Sequence, residues 1–259
     1  MQFHPEESIR IGTEALRLLG ISMPARTSIP RILVEMLKVG VFQSFTRIER
    51  MADQVSMTDP EKLAVMRLLM SIAEPCYLAN PAYLPVVICR MIVLTFRHGV
   101  SQFSSFAFAA YGLLLCGVFN RFTKGFIFGK TALDLIQRYP DSPLRARVLY
   151  LYGNMISLWK RHIRESYPYL LESFRRGRDA GDYSYSAYAI NNYNLISLFA
   201  GEPIDDIVAS YSRYYTMIKS YSLPAMTSGY ELFWQAMIAL GSPDFCQGRI
   251  VGEIASEDV

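Results

Sequence analysis

Asn154-Met155-Ile156-Ser157-Leu158-Trp159 and Asn194-Leu195-Ile196-Ser197-Leu198-Phe199 are two forms of one hexapeptide, displaced by 40 residues from 154 to 194. The same displacement of 40 aligns Tyr193 to Gly201 (YNLISLFAG) with Phe233 to Gly241 (FWQAMIALG), and Tyr111-Gly112 precedes Tyr152-Gly153 by 41. Similarity at a fixed period is the mark of stacked supersecondary units, each unable to bury its apolar faces alone. The units are helical: strand-type turn dipeptides between alternating apolar runs are missing, and helix punctuation recurs. Thr58-Asp59-Pro60-Glu61 supplies a cap, a proline for the first helical position and an acidic first turn; Gly201-Glu202-Pro203-Ile204-Asp205-Asp206 closes one helix and opens another.

The spacing predicts helices at about 5–19, 28–51 with a break near Gly40, 59–78, 81–98, 102–118, 122–139, 143–161, 165–180, 183–200, 204–221 and 223–240. Short connections make successive helices antiparallel neighbours. The expected fold is all-α, an α/α superhelix of antiparallel hairpins, like a tetratricopeptide array but with a period of about 40 in place of 34. Residues 1–58 read as N-terminal helices and a truncated repeat, 59–241 as the repeats, and 242–259 as a polar tail; the chain reads as a piece of a longer protein. The expected repeat core holds Tyr111, Gly112, Tyr152 and Gly153. Small residues there, with Ala132 and Ala187, let helices cross closely, and Trp159, Phe199 and Phe128 fill the space between layers.

Composition narrows the function. Of 259 residues 51% are hydrophobic and 19% charged, enough for a large core. The uncharged run Phe103 to Phe119 spans roughly 25 Å as a helix, short of the roughly 30 Å of a bilayer core, and the preceding apolar run carries Arg90 at its centre. A helix enclosed by its neighbours, not a membrane span, is expected. The start MQFHPEE lacks a basic and then apolar leader, which points to the cytoplasm. Cys76, Cys89, Cys116 and Cys246 lie in apolar patterns without metal-site spacing and read as buried thiols. A net charge of +3 and a pI of about 8.6 give no footprint for nucleic acid.

No catalytic constellation emerges. Gly125-Phe126-Ile127-Phe128-Gly129-Lys130-Thr131 imitates a phosphate-binding loop, but it has three residues between its glycines where four are needed and no preceding strand. His4, His98 and His162 lack metal-ligand spacing, and His98 and His162 sit where helices end. Asp205 and Asp206 complement a helix dipole. No metal, cofactor or enzymatic activity is expected. The polar residues suited to recognition are Arg147, Asn154, Asn191 and Asn194 on the first helices of hairpins, which in a tetratricopeptide-like array line the groove; side-chain amides both donate to and accept from a peptide backbone. Asn154 and Asn194 would then form a ladder along the groove; the alternative is that the same asparagines tie neighbouring helices together and are buried. Arg175, Arg176 and Arg178 add a cationic cluster on a second helix.

Ala15-Leu16-Arg17-Leu18-Leu19-Gly20-Ile21, Pro81-Ala82-Tyr83-Leu84, Tyr111-Gly112, Phe128-Gly129 with Ala132-Leu133, and Gly201-Glu202-Pro203-Ile204 resemble the helical-repeat region of large multidomain signalling ATPases. In that family a serine/threonine-kinase-like domain and an AAA/STAND-type ATPase precede the repeats, and a GAF domain with a sensor histidine kinase often follows. The resemblance implies a non-catalytic scaffold that contacts kinase, ATPase or output domains of the same chain, or a peptide. The alternative is a sensor enclosing a small apolar molecule or lipid, motivated by the many Phe and Tyr residues. The aspartate-rich motif of an all-α prenyl-transfer enzyme is absent.

Overall fold

The computed structural model describes residues 4–24, 27–242, 252, 254 and 255, and its regular elements are helices, with one isolated bridge between Ser56 and Val100. Contacts divide the chain into two compact units, residues 1–144 and 145–259.

The first unit contains α1 (Pro5–Leu18), α2 (Ile29–Phe45), α3 (Pro60–Ala79), α4 (Leu84–His98), α5 (Gln102–Gly117) and α6 (Phe122–Gln137). α3 starts as its sequence dictates: the Asp59 carboxylate accepts from the backbone N–H groups of Glu61 and Lys62, and Pro60 occupies the first turn, where no N–H is needed. α2 runs unbroken through Gly40. The break falls after Phe45, where extended Thr46 leads into a 3₁₀ segment, Ile48–Asp53. A lone mid-helix glycine weakens a helix without ending it. α1 packs on α3 and α2 on α4, while α3–α4, α4–α5 and α5–α6 are successive neighbours.

α5 is the central helix of this unit, buried along nearly its whole length from Phe103 to Cys116. It packs against α3, α4 and α6, and no described helix is long and apolar enough to cross a membrane. α5 and α6 cross closely at Gly125 of α6, where a β-carbon would stand 2.7 Å from the Gly112 carbonyl of α5 and collide with Cys116 Sγ. Phe128 then inserts between Phe108 and Tyr111, with ring centroids 5.2 and 4.9 Å away. Arg90, the charge inside an apolar run, donates from Nη1 to the Ser22 carbonyl at 2.6 Å and faces buried Glu35 of α2 at 3.5 Å. Cys76, Cys89 and Cys116 are buried free thiols. Burial pushes the first two up to about 12 and the third to about 11, so all remain protonated. Cys246 and most of the 242–259 tail lie outside the described residues.

In the second unit, α7 (Arg145–Tyr150) passes into a π-helical turn, Leu151–Ile156, and a 3₁₀ turn, Ser157–Trp159. α8 (Tyr167–Ala180), α9 (Tyr183–Phe199), α10 (Ile204–Ser220) and α11 (Pro224–Gly241) follow. α8 packs on α7 and α9, α9 also reaches α7 and α11, and α10 packs on α9 and α11. Glycines set two of these crossings. A β-carbon on Gly153 would stand 2.9 Å from Tyr169 Cβ of α8, and one on Gly177 the same distance from the Ser186 nitrogen of α9. Gly181 and Gly201, with φ of +75° and +76°, terminate α8 and α9 in the left-handed region that glycine adopts without steric cost.

Candidate polar face of the second unit

α7 and α9 present matching side chains at matching spacings. Arg147, Tyr150 and Asn154 stand three and four residues apart on α7 and its π-helical extension; Tyr185, Tyr188 and Asn192 repeat that spacing on α9. The Tyr150 ring meets Tyr185 edge-on at 5.5 Å between centroids and lies 6.0 Å from Tyr188. The Tyr150 hydroxyl accepts from Asn154 Nδ2 at 3.1 Å and from Asn192 Nδ2 at 3.2 Å, so two amides from different helices converge on one oxygen. Asn192 Nδ2 also donates to the Tyr188 carbonyl at 2.9 Å. Asn154, Asn192, Tyr185 and Tyr188 are half-buried. Among the described residues the Oδ1 atoms of Asn154 and Asn192 accept no hydrogen bond. The face is close to neutral: Arg147 Nε donates to Asp182 Oδ2 at 2.6 Å, and its guanidinium lies 4.8 Å from the Tyr185 ring centroid.

Other residues expected to line a groove are placed differently. Asn194 is 1% exposed and accepts from Ser210 Oγ at 2.7 Å, tying α9 to α10. It cannot line a groove, and it faces Tyr230, whose phenol burial pushes well above the ordinary range while the Asn194 amide pulls the other way. Asn191, half-buried, accepts from the Tyr211 hydroxyl at 3.2 Å on the α10 side. The amide that shares a partner with Asn154 is therefore Asn192, not Asn194. In the π-helical turn at Leu151–Ile156 the chain winds more loosely than in regular α9, so equal sequence offsets do not keep equal faces. Arg175 and Arg176 pair with Glu172, and Arg178 with Asp179, along a solvated face of α8.

Tyr111, Gly112, Tyr152 and Gly153 are buried. Trp159 and Phe199 are not: they are 49% and 76% exposed, which overturns their placement between layers. Each stands at the last residue of its helical segment, where the chain turns away before a neighbouring helix can cover the ring. The two copies of the hexapeptide agree in burial from the second residue on, with Ile156-Ser157 and Ile196-Ser197 inside and the terminal aromatic outside, but differ at the first, Asn154 being half-buried and Asn194 buried. Tyr211 and Tyr230, in edge contact at 4.8 Å, are the largest fully buried side chains.

The remaining sequence candidates resolve into local structure. Gly125 to Thr131 lies wholly inside α6, with Lys130 exposed. His162 accepts at Nδ1 from the Arg164 N–H and caps a 3₁₀ turn, Ile163–Ser166; His98 is the last residue of α4; Asp205 and Asp206 occupy the first turn of α10. In the first unit a cleft of about 1000 Å³ opens among the starts of α3 and α5 and the residues after α6, lined by Met57, Leu63, Leu68 and Phe103 with Arg67 and Asp141.

The described residues are thus helical, with an amide and tyrosine cluster shared by α7 and α9. No family model matches its sequence. Over 173 residues, 66% of the chain, it is 27% identical to hybrid signal transduction histidine kinase G of Dictyostelium discoideum. The match covers 5% of that protein's length, so the chain is similar to a small part of a large signalling protein.

Proposed function

We propose that this chain is a cytoplasmic, non-catalytic helical-repeat module of a signalling protein, and that it binds an extended peptide segment across the α7–α9 face. The hairpins within 59–241 are read as one kind of tetratricopeptide-like repeat, and within the second unit the first helices α7 and α9 share a surface. The partner is a domain of the same signalling protein, such as its kinase, ATPase or output modules, or a separate peptide. The observation that carries the reading is the convergence of Asn154 and Asn192 on the Tyr150 hydroxyl, which holds both amides by their Nδ2 groups and leaves each Oδ1 as an acceptor for a partner's N–H. A peptide backbone supplies such donors at every second residue on one side. Because Arg147 is neutralised by Asp182, recognition is directed at the backbone and depends little on salt.

The test uses fluorescence anisotropy with a panel of labelled extended decapeptides and their N-methylated counterparts. Asn154→Ala with Asn192→Ala removes neutral, half-exposed hydrogen bonds and should cost stability by no more than about 1–2 kcal/mol while weakening binding at least tenfold. N-methylation should abolish binding to the unaltered protein. Peptide affinity that survives both changes would refute the assignment. A second reading, a sensor for a small apolar molecule or lipid, is favoured only by the cleft at Met57, Leu63, Leu68 and Phe103; saturable binding of a fatty acid, lost on Phe103→Asp, would favour it.

A further inference from the structure

α2 is built the wrong way round for a surface helix. Its acidic residue, Glu35, points inward and is 1% exposed, whereas Ile29, Leu33, Leu37, Val41 and Phe45, at strict four-residue spacing, are between 52 and 86% exposed. Val34 extends this outward row. At roughly 100° per residue the row sweeps about 160° of the helix surface, opposite the side that carries Glu35 and Val39 onto α4. A helix that is apolar on both sides is normally covered on both. At roughly 100 Å² per large aliphatic side chain the row offers on the order of 500 Å², the size at which an exposed apolar patch marks an interaction site.

Charge selects the partner. Glu35 already has three cations, Lys38 at 3.0 Å, Arg90 at 3.5 Å and Arg31 at 3.9 Å, and α2 has no other carboxylate. The row ends at Phe45 in a cleft of about 660 Å³ that Arg47 and Lys124 also line, with Glu49 the one acid among its lining residues. The exposed edge of this surface is therefore cationic from Arg31 to Lys124. A second copy of the chain would set Arg31 and Lys38 against their own kind. A lipid bilayer is flat, and a row that climbs 160° around a helix meets a plane over only part of its length. An oblique four-residue ridge instead fits the grooves of another helix.

We infer that α2 and the adjoining cleft are a docking site for an amphipathic α-helix of a partner protein, with an apolar face for Leu33, Leu37, Val41 and Phe45 and acidic residues for Arg31, Lys38, Arg47 and Lys124. This surface shares no residue with the α7–α9 face, so each stands or falls alone.

The probe is a labelled amphipathic peptide of about five helical turns with leucines on one face and glutamates flanking them, compared with a twin carrying lysines in place of the glutamates. The glutamate peptide should bind at least about tenfold tighter at low salt, with the gap narrowing as salt rises. Leu37→Glu should weaken it at least tenfold without altering thermal unfolding, because that side chain faces solvent. Arg47→Glu with Lys124→Glu should reverse the preference toward the lysine peptide. Equal affinity for the two peptides, or binding undisturbed by Leu37→Glu, would overturn the proposal. So would a dimer in sedimentation that Leu37→Glu dissociates, or association with phosphatidylserine vesicles in the absence of peptide binding.

Discussion

Alanine at two glycines, Gly40 and Gly125, should shift stability in opposite directions. Both lie within helices, α2 and α6, so alanine gains up to about 1 kcal/mol of helix propensity at either place. At Gly40 an added β-carbon meets nothing within 4 Å, and the gain stands: the variant should be about 0.5–1 kcal/mol more stable. At Gly125 the β-carbon would lie 2.7 Å from the Gly112 carbonyl oxygen and against Cys116 Sγ, where ordinary contact begins at 3.4 Å. α5 and α6 must then separate by roughly 0.7 Å over a packed interface, an overpacking cost of about 2–3 kcal/mol. Subtracting the propensity gain leaves a loss of about 1–2 kcal/mol, so the two variants should differ by about 2 kcal/mol. Urea unfolding followed by far-UV circular dichroism reads this as midpoints displaced to opposite sides of the parent's at constant slope. A Gly125→Ala protein as stable as Gly40→Ala would refute the close α5–α6 crossing, and with it the reading of the phosphate-loop look-alike as a packing device.

Trp159→Ala should cost only about 1 kcal/mol, because half of the ring already meets solvent; the 3–5 kcal/mol typical of a core tryptophan would restore the burial expected from the repeat. The same variant should lose the tryptophan emission most accessible to iodide quenching. Stability should also fall at alkaline pH. Burial raises Tyr152 from 10.0 to about 12, Cys76 and Cys89 from 9.0 to about 12, and Cys116 to about 11. The unfolded chain gives up these protons first, so the contribution is complete below about pH 9 and is lost as pH rises to about 12. A urea midpoint that stays level from pH 9 to 11 would contradict it.

Much of the helical layout was legible in the chain because it depends on neighbours in sequence. Asp59-Pro60 starts α3 through bonds to residues two and three ahead, Gly181 and Gly201 stop helices by their own conformational freedom, and an apolar run as long as Phe103 to Cys116 can only be an enclosed helix. The candidate site was half legible. Arg147 and Asn154, expected from the sequence, lie on the face; Tyr150, Tyr185, Tyr188 and Asn192 join them, and the signal in the sequence is the shared spacing 147, 150, 154 and 185, 188, 192.

What only the tertiary structure decided is which side of each helix meets which neighbour. A π-helical turn at Leu151–Ile156 changes the facing of Asn154, so the amide that shares the Tyr150 hydroxyl with it is Asn192, while Asn194 turns inward to Ser210. Trp159 and Phe199 are large and apolar, and sequence alone places them inside; their positions at helix ends leave them without a covering helix. Glu35 reads as a solvent residue until Arg90, 55 positions further along the chain, is seen to face it. Helix formation is settled within a few residues by capping, propensity and period, all present in the chain. Burial depends on the arrival of segments distant in sequence, and that is determined only when the helices have packed.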